Sequence, residues 1–301
     1  MNYLSSKASV IKALLKSVQL ALIVILLFAM PVGCMLATHS LGDGAGDLDS
    51  GWLGSTNQAP DANSDEAVIQ VYSARAARWR GAFGVHTWMA VKRTDARQYT
   101  RLEVIGYRVY MGGRAVQLRD GSPDSRWYGN KPFLLREIRG DERVDELIDR
   151  LYKAALSYPY DNTYHVWPGP NSNTFTAYLA RRVPELRLEL PANAIGKDYL
   201  PGGSITASTP SHTGAQVSLG GYLGLLASVE EGFEFNMLGL TVGIDFYPPA
   251  LKLPGIGRLG FSDIRRKVLT TSDRRQLDTV IEAEFATPGT LSVRVPSGAP
   301  I

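Results

Sequence analysis

Apolar residues first run together and later alternate along this 301-residue chain. Val18 to Ala37 carries no charge and is interrupted only by Gln19, Pro31 and Gly33. Its length matches the roughly 20 helical residues that cross a hydrocarbon core. From Thr38 to about Asp65 the composition turns to Gly, Ser, Asp, Asn and Pro, which bury too little apolar surface to offset ordering. Ala67 to Tyr72 is a β-branched run suited to a strand. In Phe83 to Val91 the periodicity is two: Phe83, Val85, Met89 and Val91 share one face, His86 and Trp88 the other. Further strands are expected at Tyr99 to Tyr110, Ala115 to Leu118 and Phe133 to Ile138.

Helical spacing appears twice. Asp141 caps a helix whose Val144, Leu147, Ile148, Leu151 and Ala155 share a face, and Asn171 or Ser172 caps a second through about Arg182 that buries Phe175, Tyr178, Leu179 and Val183. Gln216 to Leu226 and Gly232 to Phe246 are expected as two long strands of a hairpin, followed by a charged tail from Ser262. The fold class is therefore α+β, a central antiparallel sheet with flanking helices and a long C-terminal hairpin, preceded by one N-terminal transmembrane helix. The expected organisation is an anchor over residues 1–37, a flexible tether over 38–66, a body over 67–261 and a loosely ordered tail over 262–301.

Charge gives the anchor a direction. Lys7, Lys12 and Lys16 precede it, whereas Asp43, Asp47 and Asp49 follow, so the positive-inside bias leaves the N-terminus in the cytoplasm and the body outside it. Two other fates stay open: lipidation at Cys34 in Pro31-Val32-Gly33-Cys34, or cleavage as a signal peptide. All three export the body. The formal charge of +3 comes from 32 basic and 29 acidic residues without a basic stripe, which argues against a nucleic-acid partner. Cys34 is the sole cysteine, so the body has neither an internal disulfide nor a thiolate nucleophile. Four histidines give weak grounds for a metal, and no cofactor is expected.

Candidate chemistry concentrates in two segments. His86 is an imidazole beside the indole of Trp88. The loop Tyr164-His165-Val166-Trp167-Pro168-Gly169-Pro170 leads into Asn171-Ser172-Asn173-Thr174-Phe175 at a helix start, where backbone N–H groups can stabilise an oxyanion. Asn171 and Ser172 are equally favoured as plain helix caps, His86 equally as a half-buried structural histidine, and His212 as a solvated loop residue.

Trp167 to Phe175, Val85-His86-Thr87-Trp88 and Ala194 to Leu200 together resemble a proteobacterial family of membrane-associated proteins known only as a domain of unknown function. That resemblance brings no established activity; with the charge bias it implies a single-pass protein of the bacterial inner membrane with a periplasmic body. More distantly, the order of a strand histidine and a later Asn-x-x-x-Phe helix start is similar to the circularly permuted papain-like proteins, the NlpC/P60 and lecithin-retinol-acyltransferase relatives. There a cysteine opens the helix; here Ser172 stands in its place. A hydroxyl is far less acidic than a thiol and needs a well-oriented base, for which Glu103 or His165 would have to position the imidazole.

Three functions follow. The first is a cleft that binds a cell-wall or lipid-derived ligand through Trp88, His165, Trp167 and Asn173, with His86 and Tyr164. The second is a serine-dependent amidase, esterase or acyltransferase with Ser172 as nucleophile, His86 as base, Asn171 at the oxyanion and Glu103 as orienting group. The third is an envelope scaffold that docks proteins along the Leu219 to Gly243 hairpin.

Overall fold

The structure, a computed structural model, describes residues 2–42, 54–261 and 269–270. Helix α1, Asn2–Gly42, contains an apolar stretch, Ile11–Thr38, long and apolar enough to cross a membrane. Its Phe28, Pro31 and Val32 are buried against the body, with the Phe28 ring edge-on to Phe235 at 6.2 Å.

The first sheet is built from β1 (Ala67–Arg75), β2 (Val85–Lys92), β3 (Thr100–Val104), β4 (Val116–Asp120) and β5 (Phe133–Gly140), with a two-residue strand at Leu269–Thr270 beside β5. Its order is β5-β1-β2-β3-β4, antiparallel throughout these five. Only the first half of the expected Tyr99 to Tyr110 strand is one: β3 ends at Val104, and Gly106–Tyr110 turns into the short helix α2. Gly106 allows this turn because a Cβ there would lie 2.4 Å from the Tyr164 ring.

Helices α3 (Glu142–Leu156) and α4 (Ser172–Arg182) pack on one face of this sheet. Asp141 caps α3, its side chain accepting from the Arg143 N–H at 3.2 Å. Ile69, Val71, Met89 and Leu102 from the strands meet Ile148, Leu151, Phe175 and Leu179 from the helices in the main core. On the opposite face Val68, Tyr72, Trp88, Ala90 and Tyr99 form a smaller apolar cluster with Trp127 against it. Residues from Gly54 to Asn63, which composition assigns to the tether, lie on that second face: Asp124 accepts from Ser55 Oγ at 2.7 Å and Gln58 N at 2.6 Å, and Tyr99 donates to the Pro60 carbonyl at 3.1 Å. One buried carboxylate offers the organising point that composition alone does not reveal.

Beyond residue 199 the chain forms a seven-stranded meander, paired in chain order: β6 (Thr206–Ser208), β7 (Gly214–Leu219), β8 (Leu223–Ser228), β9 (Gly232–Met237), β10 (Leu240–Phe246), β11 (Pro249–Leu253) and β12 (Gly257–Gly260). The two long strands expected here are thus four. Tight turns at Gly220-Gly221 and Leu238-Gly239, all with positive φ, split them, and this backbone conformation favours glycine. The Leu269–Thr270 strand aside, the expected tail over 262–301 lies outside the described residues.

Alternation in this second sheet runs opposite to that of a soluble protein. Gln216, Ser218, Glu234, Asn236, Thr241 and Lys252 are buried, whereas Val217, Leu225 and Phe235, on one cross-strand row, face outward. The buried side is held to the body by ions: Lys252 lies 2.6 Å from Glu189 and 2.9 Å from Glu234, Lys197 pairs with Glu234, and Asn236 donates to Asp198 at 2.8 Å. Burial disfavours the Lys252 ammonium, but the Glu234 and Glu189 carboxylates outweigh it and raise its pKa, so Lys252 stays charged; burial raises the Asp198 carboxyl.

Candidate functional site

Thr87 settles which way its neighbours on β2 point. Its hydroxyl lies 2.9 Å from both Asn173 Oδ1 and Thr176 Oγ1 on α4. Successive strand side chains take opposite faces, so His86 and Trp88 face away from α4. The structure does not bring His86 and Ser172 together: the first sheet stands between them. No nucleophile and base pair arises from these two residues.

The groups around Ser172 are engaged in holding the chain. Asn171 accepts from the N–H of Asn173 at 2.9 Å and of Thr174 at 3.2 Å, and Thr174 returns a contact to the Asn171 N–H at 3.1 Å, a capping box. The Asn171 amide also donates to the carbonyls of Val166 and Ile195, each at 3.0 Å. Asn173 donates to Val85 at 2.9 Å and Ile195 at 2.8 Å, tying β2, α4 and the 191–199 loop. Trp167, 46% exposed, donates to the Leu238 carbonyl at 2.7 Å and meets Tyr222 edge-on, which ties the loop to the second sheet. His165 is exposed, its backbone N–H bonded to the Pro170 carbonyl at 2.9 Å.

His86 lies in a different setting. Its ring stacks on Trp127, centroids 3.7 Å apart and planes within 9°, and more loosely on Trp88 at 5.7 Å. Trp127 opens a tight turn closed by paired backbone bonds with Asn130, with Tyr128 and Gly129 both at positive φ. Below the stack, Glu103 of β3 is fully buried and accepts from Arg101 at 2.9 Å and from Arg119 of β4 at 2.7 and 3.0 Å. Arg101 and Arg119 are directly opposed across β3 and β4, and Glu103 relieves that repulsion. Arg101 also lies 4.7 Å over the Trp88 ring.

The charge balance of this cluster is uneven. Burial would raise the Glu103 carboxyl, but the adjacent His86 ring and the Arg101 and Arg119 guanidiniums outweigh it and hold it at about 2. Burial, the largest influence on His86, lowers its pKa and keeps the ring neutral. Two guanidiniums thus share one carboxylate. His86 Nε2 stands 3.6 Å from Glu103 Oε2, short of a good hydrogen bond, and is left buried without a partner. Such an atom in a nearly closed, aromatic and cationic setting can take one hydrogen bond from or to a guest. Trp127, Arg101 and Arg119 are absent from the sequence-based candidates. Of these, only Arg101, two residues before Glu103 and so on the same strand face, carries a signal in the sequence. Among the described residues, no group of His, Cys, Asp or Glu is arranged to hold a metal.

These features define an α+β protein with two antiparallel sheets and an N-terminal helix fit to span a membrane. Residues 66–199 match the model of a family described as "Protein of unknown function (DUF3750)". The match takes in β1 to β5, both helices and the 191–199 loop, and stops before the second sheet. It meets the expected likeness to a family of unknown function and adds nothing to the likeness to papain-like proteins. No curated protein and no solved structure matches the chain.

Proposed function

We propose that this is a membrane-anchored envelope protein that binds an acidic cell-wall or lipid-derived ligand on the His86 face of its first sheet without transforming it. The observation that carries this reading is the unpartnered His86 Nε2 beneath the Trp127 ring, beside two guanidiniums that share a single carboxylate. A carboxylate or phosphate would complete that balance through Arg119, whose side chain is 49% exposed, while Trp127 shifts to stack on the guest. In this reading the N-terminus is cytoplasmic and the body periplasmic, as the lysines before the span and the aspartates after it favour. Asn171, Asn173 and Trp167 then serve as ties, and Ser172 is a helix residue rather than a nucleophile.

The test titrates the full chain in detergent with two probes, a muramyl peptide and short-chain phosphatidylglycerol, and follows tryptophan fluorescence. Binding of either probe that is lost in Arg119→Gln and retained in Ser172→Ala supports the reading. Turnover of either probe that disappears in Ser172→Ala would replace it with the serine hydrolase, and so would labelling of Ser172 by a fluorophosphonate. Absence of binding to both probes removes it.

A further inference from the structure

We propose that the outer face of the second sheet rests on the lipid bilayer, so that the protein is held at the membrane by a broad apolar surface as well as by α1. Phe233, Ile244, Leu251 and Leu259, one cross-strand row of that face, are 44–57% exposed, and the Val217, Leu225 and Phe235 row lies beside it. Seven strands at ~4.8 Å span roughly 30 Å. A face of that width, apolar from β7 to β12, exceeds the few hundred Å² that monomeric proteins usually leave open. Its polar partner face is the buried one, so the alternation cannot be satisfied by water on the outside.

The position of α1 identifies the occupant. Phe28, within the membrane-spanning stretch Ile11–Thr38, touches Phe235 on this same face, and Met35 adjoins Gly255 in the β11–β12 turn. The stretch exceeds the roughly 20 residues that cross hydrocarbon by about eight. With Lys12 and Lys16 kept at the cytoplasmic headgroups, Met35 lies near the outer boundary between acyl chains and headgroups and Phe28 about two turns below it, so the sheet face that continues from them meets the outer leaflet. Full immersion is excluded, because among the described residues β6 and β12 are edge strands whose outward backbone groups need water or headgroups. The outward residues of the β6 edge, Thr206 and Ser208, are polar and exposed, as a rim at the headgroups requires. The sheet lies flat, apolar side down, as interfacial helices do.

The experiment uses the full chain in vesicles of phosphatidylethanolamine and phosphatidylglycerol. In a Cys34→Ser background, Leu225→Cys and Leu251→Cys carry an environment-sensitive fluorophore on the outer face, and Glu142→Cys on α3 carries it as a control. A separate sample labelled at native Cys34 reports on the helix. The expected result is that a spin label on the acyl chains quenches most of the Leu225→Cys and Leu251→Cys emission while iodide quenches only Glu142→Cys. Iodide access to the outer-face labels equal to the control overturns the proposal. Protection of those labels from both quenchers also overturns it and points to a second copy of the chain as the cover. A Cys34 label beyond reach of the lipid quencher removes the anchor itself, and with it this proposal, independently of any ligand at His86.

Discussion

Glu103 is the residue on which the His86 face depends. It is the only carboxylate paired with either Arg101 or Arg119 among the described ion pairs, and its oxygens accept from both. Glu103→Gln leaves the buried Arg101 without a counter-charge and is expected to destabilise the protein by about 3 kcal/mol. Denaturant unfolding of the full chain in detergent measures this, and a loss no larger than that of an ordinary surface substitution would contradict it. Much of this face was legible in the sequence, because a two-residue period assigns His86 and Trp88 to one side before any coordinates are known. Trp127 was not legible. Its stacking partner is 41 positions earlier in the chain, and the turn that aims it uses Tyr128 at positive φ, which no turn rule favours.

At the scale of elements, the start of α4 shows why a motif can be dense in polar groups and still be structural. Asn171 caps the helix and also satisfies two carbonyls from separate loops. Asn171→Ala should therefore cost about 2 kcal/mol or more, beyond the ~1 kcal/mol of a simple cap, whereas Ser172→Ala should stay within ~0.5 kcal/mol. Equal costs in thermal unfolding would refute the distinction. Both helices were readable from spacing and caps. The meander was less so: alternation continues through Gln216 to Leu226 with no polar break, and only the glycine pair at 220 and 221 marks the turn. Alternation also leaves unstated which face is inside, and here the usual assignment of apolar to inside fails.

For the whole molecule, His86 and Glu103 push the pH response the same way. His86 is neutral when folded because its pKa lies below the ordinary 6.5 that it regains on unfolding. The unfolded chain therefore takes up a proton that the native ring refuses, and stability is lost as pH falls below about 6.5. Glu103, held at about 2 against an ordinary 4.5, adds a loss as pH falls from about 4.5 towards 2. Both effects destabilise the protein in acid. In His86→Phe the Tm is expected to hold nearly constant between pH 6.5 and 5, where the wild-type protein declines; parallel curves for the two would argue against the neutral buried imidazole.

The polar underside of the meander also decides where this chain can be divided. Glu189, Lys197 and Asp198 lie inside the stretch that matches the family of unknown function, while Lys252, Glu234 and Asn236, their partners, lie after it. Ending a recombinant fragment at the last matched residue would strip Glu189 and Lys197 of their counter-ions and Asp198 of its amide donor, leaving them uncompensated in a surface shaped for ions. The smallest self-supporting piece of the body accordingly runs through at least β11, and the boundary suggested by likeness of sequence is not a boundary of folding.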